Sequence, residues 1–125
     1  MPVSRPSMQF DELLTSFGLV VQREPEVARV SPVGELDLAT VDRLRTCLRE
    51  LIADGVPRLV IDLRGTTFVD STALHLLVST HAESVDQGWR LEIIPGSPTV
   101  HRPIVVIGLD EQLPFVDPTA ADGRS

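Results

Sequence analysis

At 125 residues the chain has room for one domain with an ordinary core, and not for two. Hydrophobic residues make up 42% and charged residues 23%, the balance of a soluble globular protein. The net charge is −7 and every basic residue is arginine, which argues against the basic face that contact with DNA or RNA requires.

Cys47 is the only cysteine, so an intramolecular disulfide is excluded and a reducing compartment is expected. The longest apolar run, Ile104 to Ile107, is far too short to span a bilayer. Arg5 is followed by no apolar stretch of signal-peptide type, so the expected location is cytoplasmic, with no membrane partner.

Taken in chain order, residues 1–9 are polar and interrupted by proline, and they belong to an N-terminal extension over 1–18. Phe10, Leu13, Leu14 and Phe17 fall at i, i+3, i+4 and i+7, which predicts a short amphipathic helix over 10–17 that Gly18 stops. Leu19 to Glu24 and Val27 to Val33 flank Pro25-Glu26 and predict a β-hairpin. Gly34-Glu35-Leu36-Asp37 is expected to be the turn that leaves it. From Thr40 the spacing is helical, with Val41, Leu44, Leu48, Leu51 and Ile52 on one stripe and Gly55 as the stop. Arg43, Arg45, Arg49 and Glu50 take the wet face, and Cys47 is expected as core filler.

A strand over Arg58 to Leu63 follows, then a turn over Arg64 to Val69, then a helix from Ser71 to Asp86. Leu74, Leu77, Val78 and Val85 are expected on that helix's buried face, with Gln87-Gly88 ending it. Arg90 to Pro95 is a further strand. Ser97 is placed as an N-cap with Pro98 in the first turn of a third helix running toward Ile107-Gly108. Pro103 inside that helix should kink or shorten it. Leu113 to Val116 is a candidate edge strand, and residues 118–125 form a frayed tail. Two strand–helix–strand units in succession imply neighbouring parallel strands with right-handed connections. The expected fold class is therefore α/β, a single domain with a mixed sheet of about four or five strands and helices packed against it.

The usual nucleotide-binding glycine motifs are absent, and there is no lysine to reach a phosphate. His75, His81 and His101 are too scattered for a zinc site and are expected to be solvated or on helix surfaces. Asp70, Ser71 and His75 lack the Gly-x-Ser-x-Gly elbow and an evident oxyanion hole, so a serine hydrolase is disfavoured. No catalytic residue, metal or cofactor is assigned. What remains is Ser71, at a helix start directly behind a buried strand. Read from the residues alone, Asp70-Ser71 is a helix cap.

Gly34-Glu-Leu-Asp37, Leu59-Val-Ile-Asp-Leu63 and Phe68-Val-Asp-Ser-Thr-Ala-Leu74, in this order of elements, resemble the STAS domain of anti-sigma factor antagonists. The resemblance runs from about Leu19 to Val116, and the domain it implies spans 19–117. It implies that Ser71 is phosphorylated by a partner that is both an anti-sigma factor and a serine/threonine kinase supplying ATP and magnesium. Thr72 is the second choice of acceptor. The implied docking surface comprises Asp37, Asp70, Ser71, Thr72 and Ala73, and Asp62 matches a polar position of structural kind. The unphosphorylated form would bind the kinase and free the sigma factor, and a phosphatase would reset the switch. Ser71 is then expected to be cap and phosphoacceptor at once. The family usually has glycine where this chain has Ala73, which would hinder close approach of a partner's backbone. A non-phosphorylated STAS module that senses a small ligand, or serves in a larger signalling or transport assembly, is the alternative.

Overall fold

The computed structural model describes residues 17–119. The expected helix over 10–17, apart from Phe17, and the tail beyond Thr119 lie outside the described residues. Strands β1 (Gly18–Arg23) and β2 (Ala28–Leu36) form the antiparallel hairpin, closed where the Glu24 N–H donates to Val27 O at 2.9 Å. Then follow α1 (Val41–Ala53), β3 (Arg58–Asp62), β4 (Thr66–Val69), α2 (Ser71–Gln87), β5 (Arg90–Ile94) and α3 (Pro98–Val106), with a 3-10 turn at Leu109–Glu111. The sheet order is β1-β2-β3-β5, with β2–β3 and β3–β5 parallel as the two crossovers require.

Two of the expected turns are strand. The Gly-Glu-Leu segment continues β2 to Leu36, and the segment expected as a turn after β3 contains β4, which pairs in parallel with Gly34, Glu35 and Leu36. The register shifts between Gly34 and Glu35, where Gly34 has φ 105°, a left-handed value that glycine adopts without steric cost. A four-residue strand whose ladder is set by a partner thirty or so residues away leaves little periodicity to read. The consequence is that the two sequence motifs lie side by side.

Helices α1 and α2 cover one face of the sheet. Val41, Leu44, Leu48 and Leu51 meet Val30, Leu36, Leu59, Ile61 and Ile93 in the main core, with half-buried Cys47 packed beside them. Burial, with the Glu50 charge adding to it, pushes the Cys47 thiol up, which disfavours the thiolate and accords with its packing as filler. The buried face of α2 differs from expectation. Ala73, Leu76, Leu77, Thr80 and Ser84 point inward, while Val78 and Val85 are 40% and 70% exposed. Thr80 and Ser84 can be buried because their hydroxyls donate to Leu76 O and His81 O, both at 2.7 Å, so their polarity is satisfied within the helix. Helix α3 starts at Pro98 as expected and runs through Pro103 for three further residues. Leu113 to Val116 makes only an isolated bridge, Ile93 to Phe115, parallel and outside any strand.

His75 is exposed, but His81 and His101 are half-buried, and His101 meets the Phe115 ring edge-on at 4.8 Å. No group of three potential metal ligands occurs among the described residues, and no helix among them is long and apolar enough to cross a membrane.

The opposite face of the sheet pairs a small cluster, Val60 and Ile94, with two buried carboxylates held by arginine. Glu92 accepts from Arg58 Nε and Nη2 at 3.0 and 2.7 Å and pairs with Arg90 Nε at 2.8 Å. Asp62 accepts from Arg64 through N, Nε and Nη2, and from Arg29 Nη1 at 3.4 Å. Burial pushes the Asp62 carboxyl up, but the Arg64 bonds and the Arg64 and Arg29 charges outweigh it and hold it below the usual range. Its stabilising contribution is thus present above the ordinary carboxylate value of about 4 and lost as pH falls through the depressed one. Asp62→Ala is expected to destabilise the fold by about 1–3 kcal/mol at pH 7, the partly exposed arginines moderating the loss. Urea unfolding at pH 7 and pH 3 checks it. The gap between variant and wild type should narrow in acid.

Candidate functional site

The two motifs meet because β4 lies along the end of β2. Past Leu36 the chain turns toward α1, and past Val69 it turns into α2. Asp70 stands at this junction and bonds in both directions. Its N–H donates to Leu36 O at 3.2 Å, and its Oδ2 accepts from the Leu38 N–H at 3.0 Å. Its Oδ1 accepts from the Thr72 and Ala73 N–H groups at 3.0 and 3.1 Å, and from the Thr72 hydroxyl. Asp70, with extended backbone, is therefore the N-cap of α2. The bond from the Thr72 hydroxyl, against some desolvation, and the bonds from the Ala73, Leu38 and Thr72 amides hold its carboxyl below the usual range.

This reassigns the cap. Ser71 is the first helical residue, exposed, and the orphan amides of the helix start are served by Asp70 instead. The aspartate fits better because a carboxylate at a helix N-terminus also meets the positive end of the helix dipole. Thr72 is half-buried with its hydroxyl committed to Asp70. Ser71 is thus the available hydroxyl of the pair.

Asp37 lies across the junction at the start of the loop into α1. Its Oδ1 accepts from the Ala39 N–H at 3.0 Å, and its carbonyl accepts from the Thr40 and Val41 N–H groups at 3.0 and 2.7 Å. The Thr40 hydroxyl donates to Glu35 O at 2.7 Å and accepts from the Asp37 N–H at 3.0 Å. Asp37 thus shapes this loop while remaining partly exposed. Asp37, Asp70, Ser71 and Thr72 come together on one corner of the domain.

Ala73 does not share that surface. It is 0% exposed, with its methyl in the core and its N–H on Asp70. Its side chain therefore points away from any approaching partner, and the expected hindrance has no structural basis. Ala73→Gly should leave partner binding unchanged while costing about 1–2 kcal/mol, from helix propensity and one buried methyl. Thermal unfolding together with a binding titration checks both halves.

Two residues of the corner escaped the sequence reading. Leu38 is 74% exposed, held out by its N–H bond to Asp70, and Phe68 on β4 is 50% exposed. Spacing gives no signal for Leu38, which lies three residues before Val41 and in step with the apolar stripe of α1. Phe68 gives none either, because its segment reads as a turn. Exposed large apolar side chains that gather beside one another mark a protein-docking surface more often than a small-molecule pocket.

Comparisons with known proteins agree with this architecture. The family model of the STAS domain matches residues 19–122. The chain belongs to the STAS domain family, and the relatives it resembles there are anti-sigma factor antagonists. The anti-sigma-F factor antagonist RsfB of Mycobacterium tuberculosis is 35% identical over 85 residues, covering 68% of this chain and 69% of that protein. A crystal structure of an anti-sigma factor antagonist from Mycobacterium paratuberculosis superposes with a TM-score of 0.74 at 32% identity, over 86% of this chain and 91% of that one. SpoIIAA shares the fold, in its unphosphorylated form with a TM-score of 0.67 at 23% identity over 84% and 91% of the two chains. Its phosphorylated form matches with a TM-score of 0.62 at 22% identity over 84% and 95%.

Proposed function

We propose that this protein is an anti-sigma factor antagonist whose unphosphorylated form binds an anti-sigma factor serine kinase, and that phosphorylation of Ser71 by that kinase ends the binding. The observation that carries this is the division of labour at the corner. Asp70 and Thr72 are bonded to one another and to the backbone, while Ser71 between them is exposed on the first turn of α2. The names of the relatives supply the class of partner. Asp37, Leu38, Phe68 and Asp70, on the segments that meet at the start of α2, would form the docking surface. ATP and magnesium enter with the kinase, and a phosphatase restores the serine.

The assignment of the acceptor is tested by incubating the protein with the purified serine-kinase anti-sigma factors of its own genome and ATP·Mg, then locating the phosphate by peptide mass spectrometry. One phosphate on Ser71 is the expected result. Modification elsewhere, or none with any of those kinases, overturns it.

A further inference from the structure

The two edges of the main sheet are finished differently. At β5 the chain closes its own edge: the Ile93 N–H donates to Pro114 O at 3.0 Å, and Ile93 O accepts from the Val116 N–H at 2.9 Å. At β1 the only strand partner among the described residues is β2. The Glu24 N–H bonds inward to Val27 O, and in an antiparallel ladder inward and outward positions alternate. Gly18, Val20 and Gln22 therefore bond to β2, while Leu19, Val21 and Arg23 aim their N–H and C=O groups outward.

Sheet edges are ordinarily blunted by lysine, proline, a bulge or short length. Strand β1 has six residues in unbroken register with β2, and its sequence, Gly-Leu-Val-Val-Gln-Arg, contains neither lysine nor proline. Its one charge is drawn to its own chain, with Arg23 Nη1 2.7 Å from Asp54 Oδ2. The strand is held at its other end too, because Arg43 Nη1 donates to Phe17 O at 3.2 Å. Val20 and Val21, on opposite faces, are 51% and 45% exposed, and Val33 on the face of Val20 is 44% exposed. Such an edge is prepared to accept an extended strand.

A second copy of the same strand fits it. With a two-fold axis at Val21, antiparallel pairing sets Leu19 opposite Arg23, Val20 opposite Gln22 and Val21 opposite its own counterpart. The outward groups of Leu19, Val21 and Arg23 then satisfy one another, two valines meet on the axis, and no like charges face each other. We propose that two copies of this chain associate edge to edge through β1, joining their sheets in the order β5-β3-β2-β1-β1-β2-β3-β5 across a two-fold axis. One strand edge buries less than the about 800 Å² per partner of a standard interface, and a net charge of −7 on each copy opposes association, so the dimer is weak and concentration-dependent. The contact uses no residue of the corner at Ser71 and stands whether or not the functional reading above holds.

The test is sedimentation equilibrium of the full chain from micromolar to near-millimolar concentration. The wild type should dimerise as concentration rises, and hydrogen exchange at the Val21 amide should slow as the dimer forms. Val21→Lys and Val21→Glu each place like charges on the axis and should weaken association tenfold or more. Val21 is exposed and its backbone groups take no part in the β1–β2 ladder, so melting should stay close to that of the wild type. Mixed in equal amounts, the two variants should recover a heterodimer, a result that misfolding does not give. Val106→Lys, at an exposed site on α3, should dimerise as the wild type does. A wild type that stays monomeric throughout overturns the proposal. So does a dimer that survives Val21→Lys, one whose Val21 amide gains no protection, equal loss in Val106→Lys, or a mixture of the two Val21 variants that yields no heterodimer.

Discussion

Ser71→Ala is expected to bind the anti-sigma factor kinase as tightly as the wild type while taking up no phosphate. Ser71→Asp and the phosphorylated wild type should bind at least tenfold more weakly. The argument is electrostatic and local. Phosphorylation adds about −1.5 to −2 charges and three acceptor oxygens to one exposed atom. The helix N-terminus offsets this by about 0.3–1 kcal/mol, so α2 can accommodate the group. However, the Asp70 carboxylate next to it is held ionised, and Asp37 lies across the same corner. The corner therefore becomes strongly anionic at neutral pH. Facing an acidic partner group at 4 Å, one added charge costs about 4 kcal/mol at an effective dielectric of 20, and each 1.4 kcal/mol is a factor of about ten in affinity. No rearrangement of the fold is needed.

Two measurements check this. Kinase-dependent labelling with ATP should vanish in Ser71→Ala, and calorimetric titration should separate Ser71→Ala from Ser71→Asp. Equal labelling of Ser71→Ala would sink the assignment and point to Thr72. The geometry weighs against Thr72, because its hydroxyl is bound to Asp70 and its phosphorylation would break the cap of α2. Raised salt should reduce the difference between Ser71→Ala and Ser71→Asp, since charges this exposed are screened.

How much of this site could be read from the chain depends on whether the controlling contacts are local. Buried β3 announces itself, because Leu59, Val60 and Ile61 are an unbroken apolar run of the kind a doubly covered parallel strand requires. The stripe of α1 is equally plain in Val41, Leu44, Leu48 and Leu51. Strand β4 was not, since four residues pairing with the distant end of β2 carry no periodic signature. On α2 the pattern misled for a different reason. Hydrophobicity assigns Val78 and Val85 to the core and Thr80 and Ser84 to water, yet the hydroxyls bond within their own helix and the valines face outward. The corner itself was legible in composition but not in roles. Asp70-Ser71 marks a helix start, but only the fold tells that the aspartate caps it and that Leu38 is tied to the same carboxylate.

Asp70→Ala should be the most damaging single change at the corner, because one carboxylate joins the start of α2 to the loop that follows β2. Its loss leaves the Thr72 and Ala73 amides without their cap, which costs about 0.5–2 kcal/mol by comparison with other N-caps. It also frees the Leu38 N–H, a charge-assisted bond whose removal adds about 1 kcal/mol. Together about 2 kcal/mol of stability should be lost at pH 7. The loop that carries Leu38 should also open locally, so hydrogen exchange at the Leu38 amide ought to accelerate more than exchange in β3. Asp70→Asn keeps a neutral acceptor for the amides and should fall between wild type and Asp70→Ala. The pH dependence has a definite sign. The folded-state value of Asp70 is depressed, so its contribution is present above the ordinary aspartate value of about 3.9 and lost as pH falls through the depressed value. Urea unfolding of wild type and Asp70→Ala should therefore converge toward pH 3 and differ most near neutrality. Equal stability at pH 7, or a Leu38 amide no less protected in Asp70→Ala, would show that Asp70 does not brace the corner. If the brace holds, partner affinity should fall in Asp70→Ala even though Ser71 is intact, because Leu38 would no longer be held beside the acceptor.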